Sequence, residues 1–141
     1  MCKCADVQIC KIRSVTPFKL DCFFMRKELI ENNPLLKLSI EFSLAVIEYC
    51  ELLDARKKYI LSRQLLRSAT SIGANAMEAQ NPESKADFIH KIKIAAKEAG
   101  ETQYWLTLCE NAKDHPKPEG LLDKLEVLNR ILGSILSTAK R

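Results

Sequence analysis

Polar side chains able to act together lie in two segments of the chain, one around Asn75 and the other around Glu98. The first segment spaces its polar residues three and four apart, and the second places Lys97 four residues before Glu101. On a helix, side chains at these spacings share one face. Their chemistry is that of ion pairs and hydrogen bonds between helices. The candidate inter-helix network comprises Ser71, Asn75, Glu78, Lys97, Glu98 and Glu101, with Arg67 beside them.

The same residues also fit a solvated surface, on which each helical pair contributes only about 0.2–0.5 kcal/mol. The two interpretations differ in their expectation for one substitution. If Asn75 and Glu78 pair with Lys97, Glu98 or Glu101, Asn75→Ala destabilises the fold by at least about 1 kcal/mol. On a solvated face, Asn75→Ala is neutral or slightly stabilising, because Ala is the better helix former. We expect the destabilisation.

Residues for catalysis or metal binding are sparse. The two histidines, His90 and His115, have no metal-binding partner at helical spacing. The pair Glu98 and Glu101 resembles half of a di-metal carboxylate site, but no histidine completes it. No phosphate-binding glycine loop, nucleophile elbow or zinc-protease motif is present. We therefore predict a protein that is not an enzyme, with no catalytic residues and no cofactor.

Four of the six cysteines, Cys2, Cys4, Cys10 and Cys22, cluster near the N-terminus. Their spacing lacks the paired knuckles of common zinc sites. We therefore predict no metal. The region around them lacks helical or strand periodicity, so residues 1–25 are predicted to be a flexible leader that the fold does not need, and residues 26–141 to form the folded domain.

The formal net charge is +4, which by itself does not indicate a nucleic-acid partner. Basic residues nevertheless recur on the predicted second and third helices. These side chains also fit an ordinary charged surface that keeps the protein soluble. The candidate nucleic-acid-binding residues are Arg56, Lys57, Lys58, Arg63, Arg67, Lys91 and Lys93.

Hydrophobic periodicity of 3.6 residues predicts four helices separated by short breaks. Asn33 followed by Pro34 is a helix start, and Ser84 with Asp87 three residues later is a second one. Asn81, before a proline, is a helix end. The predicted stripes include Leu52 in the first helix and Ile60 or Leu61 in the second. The four predicted segments are 34–53, 59–80, 84–111 and 121–139.

Similar helix lengths joined by short connections predict an all-α fold, an antiparallel up-down-up-down four-helix bundle. Gly100 in the middle of the third helix suggests a close contact with another helix. The neighbouring Tyr104 and Trp105 give that helix more apolar surface than one core-facing side can use. We therefore expect self-association through exposed aromatic surface.

The two polar segments also carry a resemblance to a known family. The residues in question are Gln64, Arg67, Ser68, Ser71, Ile72, Asn75 and Glu78, then Ser84, Lys85, Asp87 and Phe88, then Lys97, Glu98, Ala99, Glu101, Thr102, Tyr104, Trp105 and Leu106. In this combination they resemble the four helix bundle proteins, also called 23S ribosomal RNA intervening sequence proteins, over residues 26–141. Ala79 departs from the glycine of many members, which suggests a second helix continuing to Asn81.

The resemblance implies a left-handed bundle, no known catalytic activity and assembly into a homopentamer. It extends distantly to the accessory variability determinant of diversity-generating retroelements, which binds nucleic acid. The expected function is therefore that of a non-enzymatic oligomeric accessory factor associated with structured RNA or a nucleoprotein. The alternative is a structural or protein-interaction adaptor that binds no nucleic acid. With no run of about 20 apolar residues for a membrane span, we expect no membrane partner and a cytoplasmic location.

Overall fold

The computed structural model describes residues 27–139. Residues 27–32 are helical and belong to a unit that ends at Asn33, distinct from the unit that begins at Pro34. The second unit contains four helices. The leader predicted at residues 1–25, with its four cysteines, lies outside the described residues. The helices are α1 (Pro34–Ala55), α2 (Tyr59–Glu78), α3 (Lys85–Asn111) and α4 (Leu121–Ala139).

The four helices form the predicted antiparallel bundle. Each helix packs against the next along the chain, and α4 packs back against α1. Residues late in α2 meet residues early in α3, since Glu78 pairs with Lys91 whereas Arg67 pairs with Glu101. Within the part of the chain described, α1 does not pack against α3 and α2 does not pack against α4. Consequently α1 and α3 occupy opposite corners of the bundle.

The core follows the predicted stripes in most of the bundle and departs from them near the α1–α2 connection. Leu52 is 55% exposed, so that predicted position is wrong. Of the two alternatives in the second helix, Ile60 is 84% exposed and Leu61 is half-buried. Cys50, Leu53 and Ser62 are buried there instead. In a run such as Leu52–Leu53, both residues are apolar, and only packing against the neighbouring helix decides which one turns inward.

The helix ends agree with their sequence signals, with one correction. The Ser84 hydroxyl accepts a hydrogen bond of 3.1 Å from the Asp87 amide, which confirms the predicted N-cap of α3. The extension of α2 to Asn81 is wrong, because the α-helix ends at Glu78. The amides of Gln80 and Asn81 bond to carbonyls three residues back, so the last turn tightens before Pro82.

Candidate functional site

Arg67 on α2 lies at the centre of the polar contacts between α2 and α3. Its guanidinium forms an ion pair with Glu101 and lies 3.8 Å from a carboxylate oxygen of Glu98. The Glu98 side chain is only 16% exposed, and that oxygen accepts no hydrogen bond from any side chain of residues 27–139. The structure thus brings together Arg67, Glu98 and Glu101, with two acidic groups facing one basic group.

The Glu101 carboxylate has a second partner on its own helix. The indole Nε1 of Trp105 donates a 3.2 Å hydrogen bond to Glu101 Oε1. This hydrogen bond is the largest cause that lowers the pKa of Glu101 below its usual value, and the hydrogen bond from Arg67 is the second largest. The nearby Lys97 charge also lowers the pKa of Glu101. Tyr104 stands edge-on to the Trp105 ring, with 5.2 Å between ring centroids.

Beneath this ion pair, a buried hydrogen-bond chain joins the same two helices. The Thr102 hydroxyl lies 3.0 Å from the Ser68 hydroxyl, which in turn lies 3.2 Å from the Leu65 carbonyl oxygen. Thr102 also reaches the carbonyl oxygen of Glu98 at 2.8 Å. Ser68 and Thr102 are fully buried, so each needs its partner. Sequence reasoning included both in the resemblance but missed their mutual contact.

Asn75 and Glu78 do not take the partners predicted for them. The Asn75 side-chain amide donates a 2.8 Å hydrogen bond to the Ser71 carbonyl oxygen on its own helix. Glu78 pairs with Lys91, and this contact raises the Lys91 pKa. The reason is antiparallel register: Glu78 lies beside the short α2–α3 connection and therefore meets the beginning of α3. Lys97, Glu98 and Glu101 lie further along α3, beside Arg67 rather than beside Glu78.

The seven basic candidates divide into two groups. Arg67 and Lys91 each face a carboxylate, so their charges are partly neutralised. The remaining five make no ion pair with another residue in the described part of the chain, and most of them lie at one end of the bundle. They are Arg56, Lys57, Lys58, Arg63 and Lys93.

The connection that carries Arg56, Lys57 and Lys58 has a defined backbone shape. Lys57 adopts a left-handed conformation with φ of 60°. The Lys58 amide bonds to the Leu53 carbonyl oxygen and the Lys57 amide to that of Asp54, both at 2.9 Å. These bonds form a Schellman motif, which normally has glycine at the left-handed position. Because Lys57 occupies it instead, three consecutive basic residues are presented at the end of α1.

Two outer faces carry apolar side chains that no other residue of 27–139 covers. On α1, the exposed residues Ile40, Leu44 and Ile47 follow helical spacing. A groove of about 320 Å³ between α1 and α2 continues this face. On α3, Tyr104 is 59% exposed and Leu108 lies one turn further on. The exposed aromatic residue on α3 agrees with the predicted surplus of apolar surface on that helix.

Buried nucleophilic groups serve packing in this structure. Tyr49 donates a 2.6 Å hydrogen bond to the Pro116 carbonyl oxygen and so ties α1 to the α3–α4 connection. Burial raises the pKa of Tyr49 and of both described cysteines, Cys50 and Cys109. These thiols are therefore kept in the protonated, unreactive form.

Within residues 27–139, no three histidine, cysteine, aspartate or glutamate side chains are grouped as metal ligands. No helix in that range has the length and apolar character needed to cross a membrane.

Comparison with known proteins decides the family. The sequence profile of the 23S rRNA-intervening sequence proteins matches residues 31–134, which include all of α1, α2 and α3 and most of α4. The chain belongs to this family. The bundle with its Arg67–Glu101 contact is thus the fold of a 23S rRNA-intervening sequence protein.

Solved structures similar to this member of the family include one from a related bacterial protein. It is the crystal structure at 1.70 Å of a protein of unknown function from the S23 ribosomal protein family of Bacteroides thetaiotaomicron VPI-5482. The two chains are 38% identical, with a TM-score of 0.69, and the match covers 72% of this chain and 97% of the other. No curated protein matches the intervening sequence protein described here.

Proposed function

We propose that this protein is a non-enzymatic, self-associating bundle that acts in the cytoplasm as an accessory factor for structured RNA or a nucleoprotein. Its membership in the 23S rRNA-intervening sequence family supports the link with RNA. The observation that carries the proposal is the apolar face of α1, which residues 27–139 leave exposed. A binding or scaffolding protein needs such a surface. The free, buried thiols of Cys50 and Cys109 agree with a reducing compartment.

Self-association follows from the cost of leaving Ile40, Leu44 and Ile47 in water. Leu44 is 56% exposed, and its two neighbours extend the apolar surface along the helix. Contiguous apolar patches on proteins of this size mark interaction sites. The family resemblance favours five copies. Light scattering of the full chain at micromolar concentration should then give about 80 kDa, compared with 16.0 kDa for one chain.

A charge placed on this face tests whether it mediates the assembly. Leu44→Lys should lower the measured mass while leaving the helical circular dichroism unchanged. Val127→Lys is the matched control, because Val127 on α4 has a similar exposure but lies outside the α1 face. A wild-type mass of one chain would contradict self-association altogether.

RNA association is proposed to use the basic connection after α1. Arg56 and Lys57 extend from a defined turn and make no ion pair with residues 27–139, so their charges are available to phosphates. Affinity for a structured RNA hairpin should fall steeply as salt rises, because phosphate contacts release counterions.

The matched variants alter charge without altering the fold. Arg56→Glu combined with Lys57→Gly should weaken hairpin binding by about tenfold or more and flatten the salt dependence. Glycine at position 57 suits the left-handed backbone, so loss of binding cannot be attributed to unfolding. Lys37→Glu, at the other end of α1, is the control. Absence of binding by the wild-type protein at low salt would favour the adaptor function, with no nucleic acid.

A further inference from the structure

The outward face of α3 is divided into a basic half and an apolar half. Its exposed residues recur at intervals of three and four, so they form one continuous stripe. Lysines lie on the first half and apolar side chains on the second, with a glycine between them. The stripe consists of His90, Lys93, Lys97, Gly100, Tyr104 and Leu108.

No contact with residues 27–139 accounts for Gly100. A glycine within a helix is less favourable than Ala by about 1 kcal/mol. The predicted close contact of Gly100 with another helix of the bundle is not present, because a Cβ atom at position 100 would meet nothing within 4 Å. The residue is exposed at the centre of the α3 stripe. The backbone at this position is therefore open to close approach by another molecule.

The outward face of α1 has the complementary composition. Glu41, Glu48 and Glu51 are exposed beside the apolar residues of that face, while Lys37 is the single basic residue of α1. Among the four helices, α1 packs against α2 and α4 but not against α3, so within residues 34–139 its outer face lies on the opposite side of the bundle from that of α3. One molecule thus presents an acidic, apolar face on one side and a basic, apolar face on the other.

We propose that the α1 face of one copy docks on the α3 stripe of the next copy, with the backbone at Gly100 in close contact. This inference rests on the self-association proposed above and specifies its interface. Docking α1 on α1 would oppose acidic residues, and docking α3 on α3 would oppose lysines. The contact between unlike faces pairs the glutamates of α1 with the lysines of α3, whereas an α1–α1 contact has Lys37 as its single basic partner. Such a head-to-tail contact repeats from copy to copy and generates a ring when the rotation closes.

Reciprocal charge reversal tests this arrangement with the full chain. Glu48→Lys with Glu51→Lys makes the α1 face basic, and Lys93→Glu with Lys97→Glu makes the α3 stripe acidic. Each pair of substitutions alone should raise the dissociation constant of the assembly at least about tenfold. All four together should restore assembly, because the charges are again opposite. Mass is measured by light scattering, and circular dichroism verifies that every variant is folded.

The possible outcomes distinguish failure of the α1–α3 interface from failure of self-association. A monomeric wild-type protein would contradict self-association itself. An oligomeric wild type whose mass is unchanged by both pairs of substitutions would retain self-association and overturn only the α1–α3 interface. Loss of assembly by each pair without restoration by the four combined would likewise overturn the pairing of unlike faces.

Gly100 offers a second test that does not depend on charge. Gly100→Leu should weaken assembly, because the new side chain separates the two helices. Gly133→Leu on α4 is the matched control, since a Cβ at that exposed position also meets nothing within 4 Å. Leucine is a good helix former, so both variants should fold. Equal assembly of the two variants would overturn the proposed close contact.

Discussion

Glu101 is the residue on which the polar contacts of the bundle converge. Its carboxylate receives a hydrogen bond from Trp105 on the same helix and an ion pair from Arg67 on the neighbouring one. Arg67 is 54% exposed, so solvent screens the attraction between the two charges. The role of Glu101 is therefore to orient Trp105 and the α2–α3 contact, more than to contribute a large free energy of folding.

Acid should weaken the contribution of Glu101. Its pKa is lowered in the folded protein, so the unfolded chain binds a proton at higher pH than the folded chain does. The stabilisation is therefore present above the ordinary glutamate pKa of about 4.3 and is lost as the pH falls through the lower, folded-state pKa. In urea unfolding, wild type should exceed Glu101→Gln in stability at neutral pH, with the difference shrinking toward pH 3. Glu110→Gln, exposed on the same helix, is the control, and an equal pH response of both variants would contradict the assignment.

Asn75→Ala should be neutral or stabilising by a few tenths of a kcal/mol. The Asn75 side chain bonds only to the Ser71 carbonyl of its own helix, and that carbonyl keeps its backbone partner when the side chain is removed. Ala is also the better helix former at this position. Thermal unfolding measures the effect. A loss of 1 kcal/mol or more would show that Asn75 reaches a partner beyond its helix.

At the level of the helices, close approach of α1 to α2 depends on small residues. A Cβ atom added to Gly73 would lie 3.2 Å from the Cβ of Ser39, which is tighter than ordinary van der Waals contact. Ser39 itself is buried, and its hydroxyl donates to the Leu35 carbonyl oxygen of α1. The small side chains at these two positions therefore permit the close approach of α1 and α2.

Gly73→Leu should destabilise the bundle by about 2 kcal/mol or more, because overpacking forces α1 away from α2. Gly133→Ala provides the contrast on α4, where the added methyl meets nothing within 4 Å. That variant should be more stable than wild type by up to about 1 kcal/mol, through helix propensity alone. Chemical denaturation of both variants measures the difference. Stabilisation by both would show that the approach at Gly73 places no limit on side-chain size.

At the level of the whole molecule, the bundle buries its core and still leaves two opposite faces apolar. The α1 face is acidic at its margins, whereas the α3 stripe is basic in its first half. A monomer gains nothing from this arrangement. Copies that stack face to face would cover both surfaces at once, as the proposed interface requires.

The melting temperature should rise with protein concentration over about a hundredfold range, because unfolding of an assembly also dissociates it. Leu44→Lys should remove this dependence while leaving a folded bundle. Calorimetry at several concentrations measures both proteins. A wild-type melting temperature independent of concentration would contradict a stable assembly.

Much of this protein could be predicted from the order of its residues alone. The four helices and the Ser84 cap follow from periodicity and from hydrogen bonds between residues three and four apart, which are local interactions. What only the tertiary structure decided depends on contacts between distant residues. The α2–α3 connection sets the register of the two helices, and this register pairs Glu78 with Lys91 and Arg67 with Glu101. Likewise, α1 is apolar on more than one side, so only packing against α2 and α4 determines that Leu53 is buried and Leu44 faces outward.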